Sequence, residues 1–292
     1  MKKLINALKA KRILVSDGAW GTFLIQKGLQ PGECPELWNE THPADVYDIA
    51  QSYVDAGADI ILTNSFGGNR SKLSHYNLAD RCTELNQMAA SISRKAAGED
   101  VIVLGSMGPT GKFLITEDIT EEELYNEYKE QAIALAAGGA DGIIAETMFD
   151  LGESVIAVKA ARENTTCEVV CTLTFQKSPT GEYRTMMGVS PADSVEALIE
   201  AGADVIGANC GNGAAGMIDI VKEIRSINMD IPILIHANAG LPVLVDGKNQ
   251  FPESPNDMAS QINDLILAGA NIIGGCCGTT PEHIRKIVEA IR

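Results

Sequence analysis

The sequence predicts a single (β/α)8 barrel on three observations: a fourfold repeat of a helix end running into a strand, four further apolar runs between the copies, and near-regular spacing of the eight. The repeat reads AGADIILTN from Ala56, GGADGIIAET from Gly138, AGADVIGANC from Ala201 and AGANIIGGCC from Ala268. In each copy Gly supplies the left-handed turn that ends a helix and Asp or Asn bridges the turn. The apolar run that follows is too short and too β-branched for another helix.

The runs ILVSD from Ile13, VIVLGS from Val101, EVVCTLTF from Glu168 and IPILIHAN from Ile231 complete the strands. All are apolar throughout rather than alternating, as strands are when both faces are covered. They begin near residues 13, 59, 101, 142, 168, 204, 231 and 271, a mean step of about 37 residues, which holds a strand and its crossover helix. Helix starts are marked by Pro at a first helical position in His42-Pro43, Ser190-Pro191, Ser254-Pro255 and Thr280-Pro281, and by a capping box from Thr120 to Glu123. Glu121 and Glu122 suit the same helix N-terminus. His42 and His283 are expected at helix starts and His75 in an exposed loop. Residues 107–119 and 239–254 are expected to be long loops at the rim. A doubly wound open sheet uses the same alternation, but eight units without a composition break or linker favour one closed barrel, a single domain over residues 1–292.

A chain of 292 residues with 45% hydrophobic and 21% charged residues suits a globular protein and excludes a disordered polymer or a small disulfide scaffold. Its formal charge of −16 would repel nucleic acid and anionic lipid, so neither is an expected partner. The opening MKKLINALKAKRILVSDGAW has no uninterrupted apolar run or cleavage site, and no stretch is long enough to span a bilayer. Seven cysteines, an odd number, argue for reduced thiols and a cytoplasmic location.

In such a barrel the active site lies at the carboxyl ends of the strands. The residues there are Asp17, Asn64, Ser106, Glu146, Thr172 or Thr174, Asn209 with Cys210, His236 with Asn238, and Cys276 with Cys277. Cys210 ends strand six and Cys276-Cys277 ends strand eight, so three thiols approach one another. Neighbouring cysteines seldom bridge without strain, whereas soft thiolates favour zinc, and three ligands with an open fourth position make a catalytic site. The alternative is that all three are buried small hydrophobes, the reading kept for Cys34, Cys82, Cys167 and Cys171. An open zinc site would ionise an incoming thiol, which could then attack an electrophilic methyl group. Asp17 and Glu146 could grip an ammonium group; an ion pair, a cap or general-acid work are the alternatives. Backbone around Gly18 and Ala19 could present N–H groups to a carboxylate. The Gly211 to Gly216 loop could cradle phosphate but lacks the Lys of a P-loop. His236 and Asn238 could reach the metal, though a lone strand-end His is more often structural.

The motifs DGAWGT at Asp17, LTNSFGGNRSKL at Leu62, GPTG at Gly108, GIIAET at Gly142, GANC at Gly207 and GGCCGTTPEH at Gly274 resemble the homocysteine S-methyltransferase family over nearly the whole chain. The likeness is greatest to the homocysteine-binding barrel of cobalamin-dependent methionine synthase. The resemblance implies zinc on Cys210, Cys276 and Cys277, with an open position for homocysteine sulfur. It implies that Asp17 and Glu146 bind the substrate ammonium, that Gly18 and Ala19 receive its carboxylate, and that Asn64 and Asn209 line the pocket. Asn238 matches a position that can approach zinc when substrate is absent. The implied activity is methyl transfer to homocysteine, giving methionine. The sequence ends at Arg292 without a folate- or corrinoid-binding region. A methylcobalamin donor would therefore sit on a separate corrinoid protein or on further domains of a longer polypeptide. S-methylmethionine, S-adenosylmethionine or betaine as donor, or a non-catalytic zinc- or thiol-binding module, are the other readings.

Overall fold

The computed structural model describes residues 3–245 and 248–292; Met1, Lys2 and, within the expected 239–254 loop, Asp246 and Gly247 lie outside the described residues. The eight expected strands form one parallel ring. They are β1 (Leu14–Val15), β2 (Ile60–Leu62), β3 (Ile102–Met107), β4 (Gly142–Met148), β5 (Glu168–Leu173), β6 (Val205–Gly213), β7 (Ile233–Asn238) and β8 (Ile272–Gly275). Ring order follows chain order. Strand β1 pairs with β8 through Leu14↔Ile272 and Val15↔Ile273, and meets β2 in the parallel bridge Ser16↔Ile60. A strand with neighbours on both sides where an open sheet would have edges excludes the doubly wound alternative.

The unbroken hydrophobicity of the strands has its cause in two cores. Leu14, Ile60, Leu104, Ile144, Val170, Val205, Leu234 and Ile272 fill the barrel interior. Their chain neighbours Val15, Ile61, Val103, Ile143, Val169, Ile206, Ile235 and Ile273 pack in a second cluster with residues of the surrounding helices. The interior is closed at the amino ends of the strands by the helix Lys3–Lys11, which the sequence reading did not anticipate. Leu4 joins the inner core, and the buried Glu168 carboxylate accepts from the helix-start N–H groups of Leu4 (2.7 Å) and Ile5 (2.8 Å).

The repeat is a clamp between adjacent strands. Its acidic or amide side chain accepts the N–H of a residue near the start of the preceding strand: Asp59 from Val15 (3.0 Å), Asp141 from Val103 (3.0 Å), Asp204 from Val169 (2.9 Å) and Asn271 from Ile233 (3.0 Å). A basic side chain locks each clamp and also binds the carbonyl of the repeat's left-handed glycine. Arg292 does so at Asp59 and Gly57, Arg94 at Asp141 and Gly139, Arg162 at Asp204 and Gly202, and Arg225 at Asn271 and Gly269. Asp141→Ala leaves the Val103 N–H without its acceptor and takes the counter-charge from Arg94, so it is expected to lower unfolding free energy by about 1–3 kcal/mol. Asp141→Asn, the residue type of the fourth copy, is expected to lose less, both read from the urea midpoint at unchanged slope.

Capping boxes form at Thr120–Glu123, Ser190–Asp193, Ser254–Asp257 and Thr280–His283. His42 sits at its helix start but makes no side-chain cap; its ring stacks on Trp38 at 4.1 Å, and Pro43 fills the first helical position. His75 is exposed at the end of the helix Arg70–Ser74. The 239–254 segment is more than a loop: Val243–Val245 and Lys248–Gln250 pair antiparallel. Residues 107–119 carry a short 3-10 turn at Leu114–Thr116, and a second hairpin, Gln176–Lys177 with Tyr183–Arg184, rises after β5. Among the described residues, no helix is long and apolar enough to cross a membrane.

Candidate metal and substrate site

At the carboxyl ends of the strands lies a cavity of about 370 Å3, at the smaller end for small-molecule sites. Ser106, Glu146, Thr147, Cys210, His236, Cys276 and Cys277 line it from the strand ends, with Gly18, Ala19, Trp20, Asn64, Phe66 and Glu36 from the loops. A larger groove, about 740 Å3, runs over the outer helices past Ile218, Met229 and Leu267; it gathers no thiols.

The three expected thiols meet. The sulfurs of Cys210, Cys276 and Cys277 all lie within 4.8 Å of one another, while Cys34, Cys82, Cys167 and Cys171 are buried and form no such group. Local backbone puts them there. Cys210 adopts φ +60° at the point where β6 slips register against β7 between Asn209 and Gly213. After β8 the Cys276 N–H donates to the Ala237 carbonyl (2.7 Å), and the Cys277 carbonyl accepts from Ala239 (3.0 Å). Gly278 then turns at φ +80°, where a β-carbon would run into the Phe251 ring. Crowding makes the first proton easy to lose and later ones hard: thiol donors from Cys276 and Cys277 push Cys210 down, and the same contacts push the other two up.

The donor set fits a soft divalent ion. Thiolates about 2.3 Å from one tetrahedral ion are themselves about 3.8 Å apart, inside the observed limit. Asn238 helps hold the Cys210 thiol down, and its buried Oδ1 has no hydrogen-bond partner. His236 is buried too, its Nε2 also unpartnered, and burial pushes its pKa down to about 4, so the ring is neutral at pH 7.

The two carboxylates take different places. Burial pushes both Asp17 and Glu146 up to about 7. Asp17 lies behind the cavity wall, 1% exposed. Its Oδ2 accepts from Trp20 Nε1 (2.9 Å) and the Leu62 N–H (2.7 Å), and Ser16 Oγ approaches Oδ1 at 3.3 Å. It therefore orients Trp20 and joins β1 to β2. Glu146 lines the cavity; its Oε1 accepts from Ser106 Oγ at 2.5 Å, and Oε2 is left to the cavity.

The remaining expected residues are partly engaged already. Gly18 and Ala19 line the cavity, but the Ala19 N–H donates to Thr279 Oγ1 (3.1 Å) and its carbonyl accepts from Tyr53 (2.7 Å), so that N–H is not free for a carboxylate. Asn64 lines the cavity while its amide nitrogen holds the Pro35 carbonyl (2.8 Å) and Asn39 (3.1 Å). Asn209 is fully buried behind the wall rather than in it. Beside the Gly211 to Gly216 loop stands the Glu253 carboxylate, which faces Gly213 and repels an anion there. Sequence reading missed Thr147, Thr279, Phe66 and Glu36 as site residues. Thr147 takes φ +59°, which nothing in a β-branched residue announces.

Residues 14–291 match a family model described as homocysteine S-methyltransferase. Methionine synthase of Mycobacterium leprae is 36% identical over 97% of this chain but only 24% of its own length, and that of Mycobacterium tuberculosis 36% identical over 97% and 25%. The chain thus spans about a quarter of these curated relatives. Among solved structures, the metallated form of the homocysteine methyltransferase MmuM from Escherichia coli matches with a TM-score of 0.80 and 21% identity, covering 97% of this chain and 98% of that one, a likeness of fold.

Proposed function

The chain belongs to the homocysteine S-methyltransferase family, and from that premise we propose that its barrel mouth methylates the thiol of homocysteine, giving methionine. The observation that carries this reading is the trio Cys210, Cys276 and Cys277, gathered in a cavity that also holds the Glu146 carboxylate.

Cys210, Cys276 and Cys277 would hold zinc, which when bound lowers the pKa of a thiol so that its sulfur is ionised at neutral pH. The rest is done by the chain's own groups. Glu146, steadied by Ser106, takes the substrate ammonium. Asp17 acts through Trp20, holding the indole against the cavity. Trp20 and Phe66 wall the cavity and so limit the room for water beside a bound substrate. In the transfer a sulfur–methyl bond forms as the bond from methyl to donor breaks, the electron pair leaving with the donor. In-line attack requires the donor to enter from the open mouth, opposite the thiols.

We assign a methylated corrinoid on a separate protein or further domain as donor. Two things support it: the sequence motifs resemble the corrinoid-dependent branch of the family, and the methionine synthases at 36% identity are about four times as long as the matched span. Seven free cysteines support a reducing cytoplasm as the setting. The test is a donor screen at equal homocysteine, with methionine detected by mass. Methyl transfer from a methylated corrinoid protein, and less from free methylcobalamin, is expected. Comparable turnover with S-methylmethionine, S-adenosylmethionine or betaine overturns the donor assignment, and no methionine from any donor overturns the activity.

A further inference from the structure

We propose that Asn209 and Thr147 form a brace that fixes the separation between the ammonium-binding carboxylate and the thiol cluster, and so sets the chain length of the thiol amino acid accepted. This rests on the reading of the site given above. Glu146 and Cys210 each adjoin a residue of the brace in sequence, and both strand ends depart from regular geometry at that point. Thr147 (φ +59°) and Cys210 (φ +60°) hold left-handed conformations that β-branched and ordinary side chains avoid, where β4 and β6 slip register against their neighbours.

One buried amide ties the two distortions together. Asn209 Oδ1 accepts from the Thr147 N–H (2.7 Å) and from Thr172 Oγ1 (2.7 Å); its Nδ2 donates to Thr147 Oγ1 (2.7 Å) and comes to 4.0 Å from Cys276 Sγ. The path Glu146–Thr147···Asn209–Cys210 therefore ties the backbone at the two ends of the site together through two hydrogen bonds to one buried amide. A substrate that puts its ammonium on Glu146 and its sulfur at the thiols must span the separation that the braced backbone sets. Each methylene changes the span by about 1.3 Å, and a misplacement of about 1 Å costs roughly 10²-fold in rate. Asn209 and Thr147 are thus positioning residues, outside the reacting atoms, that discriminate homocysteine from its one-carbon-shorter homologue cysteine.

The test compares wild type with Asn209→Ala, Thr147→Val, which keeps the branch but not the hydroxyl, and Thr147→Ser, which keeps the hydroxyl. Calorimetric affinity and kcat/KM are measured for homocysteine and cysteine, with metal content read by mass spectrometry. Wild type is expected to prefer homocysteine by roughly 10- to 200-fold, the usual range for one methylene. In Asn209→Ala and Thr147→Val the preference should shrink about tenfold through a raised homocysteine KM with metal retained, and Thr147→Ser should restore it. An unchanged preference in Thr147→Val, whether or not Asn209→Ala folds, overturns the brace. Wild type that makes no methionine counts against the activity instead, and the calorimetric preference, read without turnover, still decides the brace.

Discussion

Cys277→Ala is expected to lose both stoichiometric metal and nearly all homocysteine-dependent methyl transfer. Removing one of the three sulfurs that lie within 4.8 Å of one another leaves two thiols, too few for a closed catalytic set of three protein ligands. Activation of a substrate thiol by a bound metal is worth several kcal/mol; at about 1.4 kcal/mol per tenfold, kcat/KM should fall by roughly 10³ or more. The fold should survive, because Cys277 is only partly buried and belongs to neither core cluster. Cys167→Ala, which removes a buried thiol outside the trio, supplies the control and should keep wild-type metal content. A Cys277→Ala protein that holds full metal and full activity would falsify the assigned chemistry.

The parts of this site that could be read from the sequence are those set by strand periodicity. Glu146, Cys210, His236 and Cys276 end apolar runs, and a parallel barrel sends such ends to one mouth whatever the side chains do. The repeat was legible for a related reason: a left-handed glycine and a clamping Asp or Asn are demanded at every second strand, so the chain repeats them. What could not be read depends on partners distant in sequence. Asp17 and Glu146 look alike as strand-end carboxylates, yet Asp17 is turned into the wall by the Leu62 N–H and the Trp20 indole, and Glu146 is not. Asn209 belongs to the GANC motif but spends its amide on Thr147, 62 positions away, and so stands behind the cavity. The plug helix Lys3–Lys11 is fixed by Glu168, more than 160 positions off, with no local signal of its role. The 239–254 hairpin was legible in part, since Asp246-Gly247 between the paired segments is a hairpin turn dipeptide, but Val243–Val245 and Lys248–Gln250 lack the apolar alternation that would have marked them as strands.

Glu146→Gln is expected to weaken homocysteine binding while making the substrate-free protein more stable, two effects of one carboxylate. Burial pushes the Glu146 carboxyl from 4.5 up to about 7, so near neutrality the native site keeps a proton that the unfolded chain has released. Because the folded form binds more protons between these values, stability must fall as pH rises from about 4.5 to about 7 and then level off. Gln carries no such penalty. At pH 8 the variant should gain stability on the order of 3 kcal/mol, the equivalent of about two and a half pKa units, seen as a raised melting temperature that vanishes near pH 4. Binding goes the other way, since the ammonium favours the ionised carboxylate and loses its counter-charge in the variant. Removing one partner of a buried charge pair costs about 2–5 kcal/mol, so KM for homocysteine should rise by roughly 30-fold or more, with a smaller change in kcat. Below pH 7 the wild-type kcat/KM should decline as Glu146 takes up its proton, and the acid limb of Glu146→Gln should be shallower by one proton. Asp17, also raised to about 7, remains to titrate in both proteins. Equal limiting slopes in the two would show that the ammonium is held elsewhere.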